Sequence, residues 1–185
     1  MIQQIKSRQN DKIKEVCKLE NPAYCRQISK FKVDRFHLFE LAKESGQLLE
    51  VYTLEEVKDL DVSIPQYIVT KEVMEKISSS KTPQGVVAVC KAKPSQPIKN
   101  NKVLYLDDVS DPGNVGTIFR TALAFGYNDI ILSEKCCSAL SSKVIQSSQG
   151  AIFKLNIVRN IDLKELKKHP DQMFIIMLKY LQSLI

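Results

Sequence analysis

The sequence has no stretch approaching the roughly 18 apolar residues of a membrane-crossing helix. Its first residues, Met1 to Lys6, lack the apolar run of a secretory signal. Both absences argue against a membrane or exported protein and point to the cytoplasm. The five cysteines, Cys17, Cys25, Cys90, Cys136 and Cys137, include no C-x-x-C pair, and His37 and His169 stand far from them. No metal site is expected, and the odd count without secretory context fits reduced, mostly buried thiols. Neither Gly-x-x-x-x-Gly-Lys-Ser/Thr nor Gly-x-Gly-x-x-Gly occurs, which excludes the two commonest phosphate-binding loops. There is no internal repeat and no low-complexity tract.

What is present is a chain of 185 residues, 44% hydrophobic, enough for one ordinary domain or two small ones. Its net charge of +6 is unevenly spread. Residues 1–35 hold nine basic and four acidic side chains, residues 36–80 four basic and nine acidic, and residues 81–102 five lysines and no acid. Such clusters suit a polyanion, because each lysine that neutralises a phosphate releases a condensed counterion. The alternative is a solvated surface that keeps the protein soluble.

The pattern predicts a basic helix over 11–19, capped by Asn10 and stopped by Asn21-Pro22. A strand over 35–39 and a helix over 40–45 closed by Gly46 follow. Strands are expected over 48–52 and 67–70, with helical turns over 54–60 and 71–77, and a buried strand over 86–90. Residues 1–91 thus read as a small α/β domain. Residues 92–102, with Pro94 and Pro97 and no acid, read as a linker. Beyond it, strands over 103–106, 129–132, 152–158 and 173–178 alternate with helices over 114–125, 140–149 and 162–168. That alternation predicts a parallel sheet in a domain over 103–185.

In such sheets ligands gather where a strand's carboxyl end feeds the next helix, the place occupied by Asp107 to Asn114. Pro112 and Gly113 turn the chain, Asn114 is a candidate helix cap, Gly116 permits close backbone approach, and Arg120 offers a planar cation suited to phosphate. From residue type and spacing alone, an anion or nucleotide site and a merely well-capped helix remain equally good readings.

The run Asp111-Pro112-Gly113-Asn114-Val115-Gly116-Thr117-Ile118-Phe119-Arg120-Thr121-Ala122 resembles the first motif, D-P-x-N-x-G-x-x-x-R-T-A, of the SpoU (TrmH-type) RNA ribose methyltransferases of the SPOUT superfamily. Lys143 to Phe153 is similar to the following K-x-x-R-x-S-x-G-A segment, with Gln146 where arginine is usual. Ser7-Arg8-Gln9-Asn10 and Thr82-Pro83-Gln84-Gly85 match places in that family's ribosomal-protein-like RNA-binding domain. The resemblance implies methyl transfer from S-adenosylmethionine to a ribose 2′-hydroxyl of rRNA or tRNA. It implies Arg120 and Asn114 as catalytic residues, Arg120 stabilising the 2′ oxygen or its phosphate and Asn114 ordering the loop. It also implies RNA contacts at Arg8, Asn10, Lys12 and Lys143. Ordinary exposure remains the competing account of Arg120, and capping that of Asn114.

Two further family motifs, G-x-E-x-x-G and P-x-x-x-x-x-S-L-N-V, form the knotted cofactor site and do not occur in this sequence. The expected fold is therefore an α/β substrate-binding domain plus an incomplete SPOUT-type domain lacking its knot-forming part. Cofactor-binding residues are not identifiable, and the 185-residue chain is expected to be inactive by itself. The resemblance also implies a homodimer formed through the methyltransferase domain. Two other function classes compete: an RNA-binding module without catalysis and a generic nucleotide-binding α/β protein.

Overall fold

The computed structural model describes residues 2–98, 102–159 and 161, and the backbone of residues 173–178. The chain divides into two compact units, Met1–Lys93 and Pro94–Ile185. No helix among the described residues is long and apolar enough to cross a membrane.

The N-terminal unit runs β1 (Ile2–Ile5), α1 (Asp11–Lys18), α2 (Pro22–Ile28), β2 (Lys30–Val33), α3 (Phe36–Glu44), β3 (Leu48–Thr53), β4 (Gln66–Val69), α4 (Lys71–Ile77) and β5 (Val86–Lys91). Its five-stranded sheet has the order β1-β4-β3-β5-β2. Strand β4 is parallel to β1 and β3, while β5 is antiparallel to β3 and β2. As expected, Asn10 caps α1: its side-chain oxygen accepts the Lys12 N–H at 2.9 Å. Ile13, Val16 and Leu19 turn into the core while Lys14 and Lys18 stay exposed, the 3.6-residue period at work.

Three expectations are corrected here, and one strand is added. Asn21-Pro22 ends α1 but also starts α2: the Asn21 side chain accepts the Ala23 and Tyr24 amides. Proline at the first helical position loses no hydrogen bond and has its φ already set. The strand expected over 35–39 lies instead at Lys30–Val33, and residues 36–44 are helical. Leu38, Phe39 and Ala42 share one buried helical face, so period 3.6 outweighed the short apolar run. The helical turn expected over 54–60 does not form. The Leu54 amide is already bonded to the Gly85 carbonyl at 3.2 Å, and an aspartate turn, with the Ser63 N–H on Asp61 Oδ1 at 2.8 Å, draws the following chain away from a helix. Strand β1, unexpected because three of its four side chains are exposed, exists through its parallel pairing with β4.

The C-terminal unit runs β6 (Lys102–Asp107), α5 (Pro112–Ala124), β7 (Asp129–Leu132), α6 (Ser142–Ser147), β8 (Asn156–Arg159) and β9 (Met173–Leu178). The sheet is parallel throughout, in the order β8-β7-β6-β9. Residues 103–106 and 130–132 are fully inside, the mark of a sheet covered on both faces. The strand expected from 152 begins only at Asn156. Residues 151–153 instead make a 3-10 turn after Gly150 at φ 89°, because the Lys154 and Leu155 amides both return to the Ala151 carbonyl at 3.0 and 3.1 Å. The helix expected over 140–149 shortens to 142–147, with Ser141 as its cap. The helix expected over 162–168 lies outside the described residues. The chain winds from β6 to β7 and β8 on one side, then returns to β9 on the other. This places a topological switch point at the carboxyl end of β6.

Candidate functional site

The connection from β6 to α5 bends at Asp108, whose φ of 52° is left-handed. For a residue with a Cβ this costs on the order of 1 to 2 kcal/mol, so the surroundings must hold it. The Asp108 N–H donates to Ser133 Oγ at 3.0 Å, and the Ser133 N–H donates to the Leu106 carbonyl at 3.0 Å. Cys136 Sγ donates to that same carbonyl at 3.2 Å, and the Cys137 N–H reaches the Val109 carbonyl at 3.1 Å. From β8, the Arg159 guanidinium donates to the carbonyls of Cys137 and Cys136 at 3.2 and 3.0 Å. The loop after β6 is thus bolted to the loop after β7, and that loop to β8.

Helix α5 then opens on Asp111. Its Oδ1 accepts the Asn114 N–H at 2.8 Å, and Lys143 Nζ lies 3.7 Å from its other oxygen. The Asn114 N–H lowers the Asp111 carboxyl below its usual range, burial opposes this, and Lys143 adds to the lowering. Asp111 is therefore the cap, and the expectation that Asn114 caps the helix is corrected: Asn114 is its third residue. Placed within the helix, Asn114 does not turn back toward Arg120. Six residues along a helix are about 9 Å of rise, with the two side chains about 120° apart around the axis. Asn114 and Arg120 are both exposed and flank a solvent-facing stripe with Thr117 and Thr121 between them. Among the described residues neither side chain has a hydrogen bond or ion pair.

The close backbone approach expected at Gly116 is made to the neighbouring helix. A Cβ there would lie 2.6 Å from the Val144 carbonyl oxygen and 2.8 Å from Ser147 Cβ. The close approach is between α5 and α6, and this contact carries Lys143 to the start of α5.

The remaining expected contacts lie in the N-terminal unit. Arg8 is exposed, and its carbonyl accepts Lys76 Nζ at 2.7 Å. The Asn10 side-chain oxygen serves as the α1 cap. Lys12 sits 4.7 Å from the centre of the Tyr67 ring and 3.8 Å from Glu50. Tyr67 and then Glu50 hold its ammonium above the ordinary lysine range, against partial burial.

A cleft of about 480 Å³ opens beside the braced loop, lined among others by Tyr105, Asp107, Asp108, Ser133, Glu134 and Ile161. Burial and the neighbouring Cys136 push the Cys137 thiol up to about 11, so it stays protonated near neutrality and is no nucleophile. No cluster of metal-ligating side chains occurs among the described residues. Ser133 and Arg159 are the site-shaping residues that sequence reading missed. Both stand at the carboxyl ends of parallel strands, the same positional signal that singled out the loop after β6.

The profile of the SpoU rRNA Methylase family matches residues 101–182, and that of an MRM3-like substrate binding domain matches residues 10–88. The chain is 32% identical over 176 residues to the 23S rRNA (guanosine(2553)-2′-O)-methyltransferase RlmP of Bacillus subtilis (strain 168), covering 93% of this chain and 69% of the relative. It is 31% identical to an uncharacterized tRNA/rRNA methyltransferase of Synechocystis, covering 83% of this chain and 61% of that protein. The crystal structure of an AdoMet-bound rRNA methyltransferase from Sinorhizobium meliloti shares the fold, with a TM-score of 0.77 at 23% identity over 90% of this chain and 67% of the other.

Proposed function

Because the chain belongs to the SpoU rRNA methylase family, we propose that it serves methyl transfer from S-adenosylmethionine to a ribose 2′-hydroxyl of rRNA or tRNA. In this reading residues 1–91 hold the RNA, 92–102 link the domains, and 103–185 present the acceptor side of the reaction. The observation that carries it is the braced loop at the switch point, which leads into a helix whose Asn114 and Arg120 side chains have no partner among the described residues. A ribose hydroxyl is a poor nucleophile at neutral pH. A guanidinium beside it stabilises the developing alkoxide or fixes the adjoining phosphate. Arg120 takes that role, Asn114 orders the acceptor, and Arg8, Lys12 and Lys143 contact the RNA. Asn10, its side chain spent on the cap, shapes the loop that presents Arg8.

Among the described residues no set of side chains is identified that would enclose S-adenosylmethionine. The cleft beside the loop carries Asp107, Asp108, Glu134 and Lys135 on its wall together with Tyr105 and Ile161. Neither G-x-E-x-x-G nor S-L-N occurs in the 185 residues. The chain alone is therefore expected to bind the cofactor weakly and to transfer no methyl groups. Isothermal calorimetry tests this, and micromolar affinity for S-adenosylmethionine overturns it. RNA binding is tested separately by fluorescence anisotropy, where Arg120→Ala weakens affinity about tenfold, within the range of a lost specific contact. The second reading, an RNA-binding module without catalysis, is favoured if RNA is held but no tritiated methyl is incorporated. We also propose a cytoplasmic location, supported by the RNA substrate, and a homodimer formed through the C-terminal unit, which sedimentation at several concentrations tests.

A further inference from the structure

Five lysines of the N-terminal unit lie within 4 Å of a carboxylate oxygen. Lys32 on β2 is 4% exposed, with its ammonium 2.7 Å from Glu20 and donating to the Ile77 carbonyl. Lys12, Lys14, Lys18 and Lys43 each have an acidic oxygen within 4 Å. Lys30 and Lys91 are not among them, and what sets them apart is their position. They are Cα partners, directly opposite each other at the end of the antiparallel pair β2–β5. Both are exposed, and among the described residues neither side chain has an ion pair or hydrogen bond.

Side chains directly opposite in an antiparallel pair stand on the same side of the sheet, and like charges so placed repel. Strand β2 is an outer strand, so this repulsion is exposed at the sheet's edge. The positive charge continues beside it. The last turn of α2 carries exposed Arg26, and the Ala92 N–H donates to the Ser29 carbonyl at 2.9 Å, tying the segment that leads to exposed Lys93 to the end of that helix. Two repelling ammonium groups with no internal carboxylate are relieved by an external anion. Two adjacent cations on one side of a sheet edge suit neighbouring phosphates of a polyanion.

We propose that Lys30 and Lys91, with Arg26 and Lys93 beside them, form a second contact surface for the RNA phosphate backbone. It stands at the opposite edge of the sheet from β1, whose following loop carries Arg8. The proposal rests on the RNA-binding reading above and adds to it a surface that neither motif marks.

The test uses the full 185-residue chain and a fluorescein-labelled RNA hairpin of about thirty nucleotides, with anisotropy read over a series of potassium chloride concentrations. Replacing both residues (Lys30→Gln with Lys91→Gln) makes the slope of log affinity against log salt shallower by roughly 1.5, as expected for two lost phosphate contacts. The melting temperature stays the same or rises, since a repulsion is relieved. The control, Lys43→Gln with Lys58→Gln, removes the same charge elsewhere and leaves the slope unchanged. An equal loss in both variants overturns the surface in favour of general charge attraction. An unchanged slope in the Lys30/Lys91 variant also overturns it. If that variant in addition self-associates in sedimentation, the two lysines are guards against edge-to-edge pairing. If the unaltered chain binds no RNA at all, the RNA-binding reading itself falls.

Discussion

In the mixed sheet of the N-terminal unit, β2 sends Lys32 inside, and Asp34 directly after it is 2% exposed. There Asp34 accepts the Ser78 hydroxyl and the Ser79 N–H at 3.0 and 2.9 Å, and Glu20 accepts Ser79 Oγ at 2.6 Å. In the parallel sheet of the C-terminal unit the interior of each central strand is apolar except for the tyrosine at 105, and polar groups gather at the ends: Asp129 and Asn156 at the start, Asp108 and Ser133 at the finish. The difference teaches where each unit keeps its strain and its chemistry. The first unit spends buried charge on tying a strand to the loop after α4. The second keeps its middle inert and confines its polar groups to the strand ends.

Substitutions break or sharpen this contrast. The largest effect is expected from Gly116→Ala, which forces α5 and α6 apart at a contact with backbone on one side. A loss of about 3 kcal/mol in urea unfolding is expected, and a neutral result would show that the helix packing is not what fixes the site. Lys32→Ala removes the donor to a buried carbonyl and the partner of Glu20. Because Glu20 is itself half-exposed and can return to water, the expected loss is about 2 kcal/mol rather than the larger cost of stranding a buried charge. If thermal denaturation shows no change, the first unit's buried network contributes no net stability. Asp111→Ala removes the α5 cap, worth about 1 kcal/mol, and speeds hydrogen exchange at the Asn114 amide while leaving the N-terminal unit's amides alone.

Acid should act on both units by the same route. For Glu20, burial pushes the carboxyl up, but Lys32 and Ser79 outweigh it and the net displacement is downward. Asp111 is lowered as well. A lowered folded-state value means that the stabilisation is fully present above the ordinary carboxylate range and is lost as pH falls through the lowered one. Stability measured by circular dichroism should therefore hold down to about pH 5 and fall below it. Lys32→Ala should flatten the Glu20 part of that fall. The smallest effect belongs to Lys143→Gln: its pair with Asp111 is long and solvent-exposed, so the stability change should stay below about 0.5 kcal/mol, while RNA affinity falls.

The loop and helix of the site were legible in the sequence because their determinants are local. Asp111, Pro112 and Gly113 set a turn and a helix start within four residues, and the alternation of strands and helices beyond Pro97 needed no long-range knowledge. The N-terminal unit was harder. Strand β1 has no apolar alternation and exists only because β4 lies beside it, and Asn21-Pro22 carries a stop and a start signal at once. The bracing of Asp108 by Ser133, and of the next loop by Arg159, joins residues 25 and 22 positions apart.

The sequence by itself determined the family, the charge distribution, the motif of the loop after β6 and the positions of most helices, since periodicity, capping and composition act over a few residues. Only the tertiary structure decided that Gly116 serves the neighbouring helix and that Lys30 and Lys91 face one another. Each of these depends on which strand or helix lies alongside, and that choice is made by pairing register and packing across the fold rather than by the residues' own preferences.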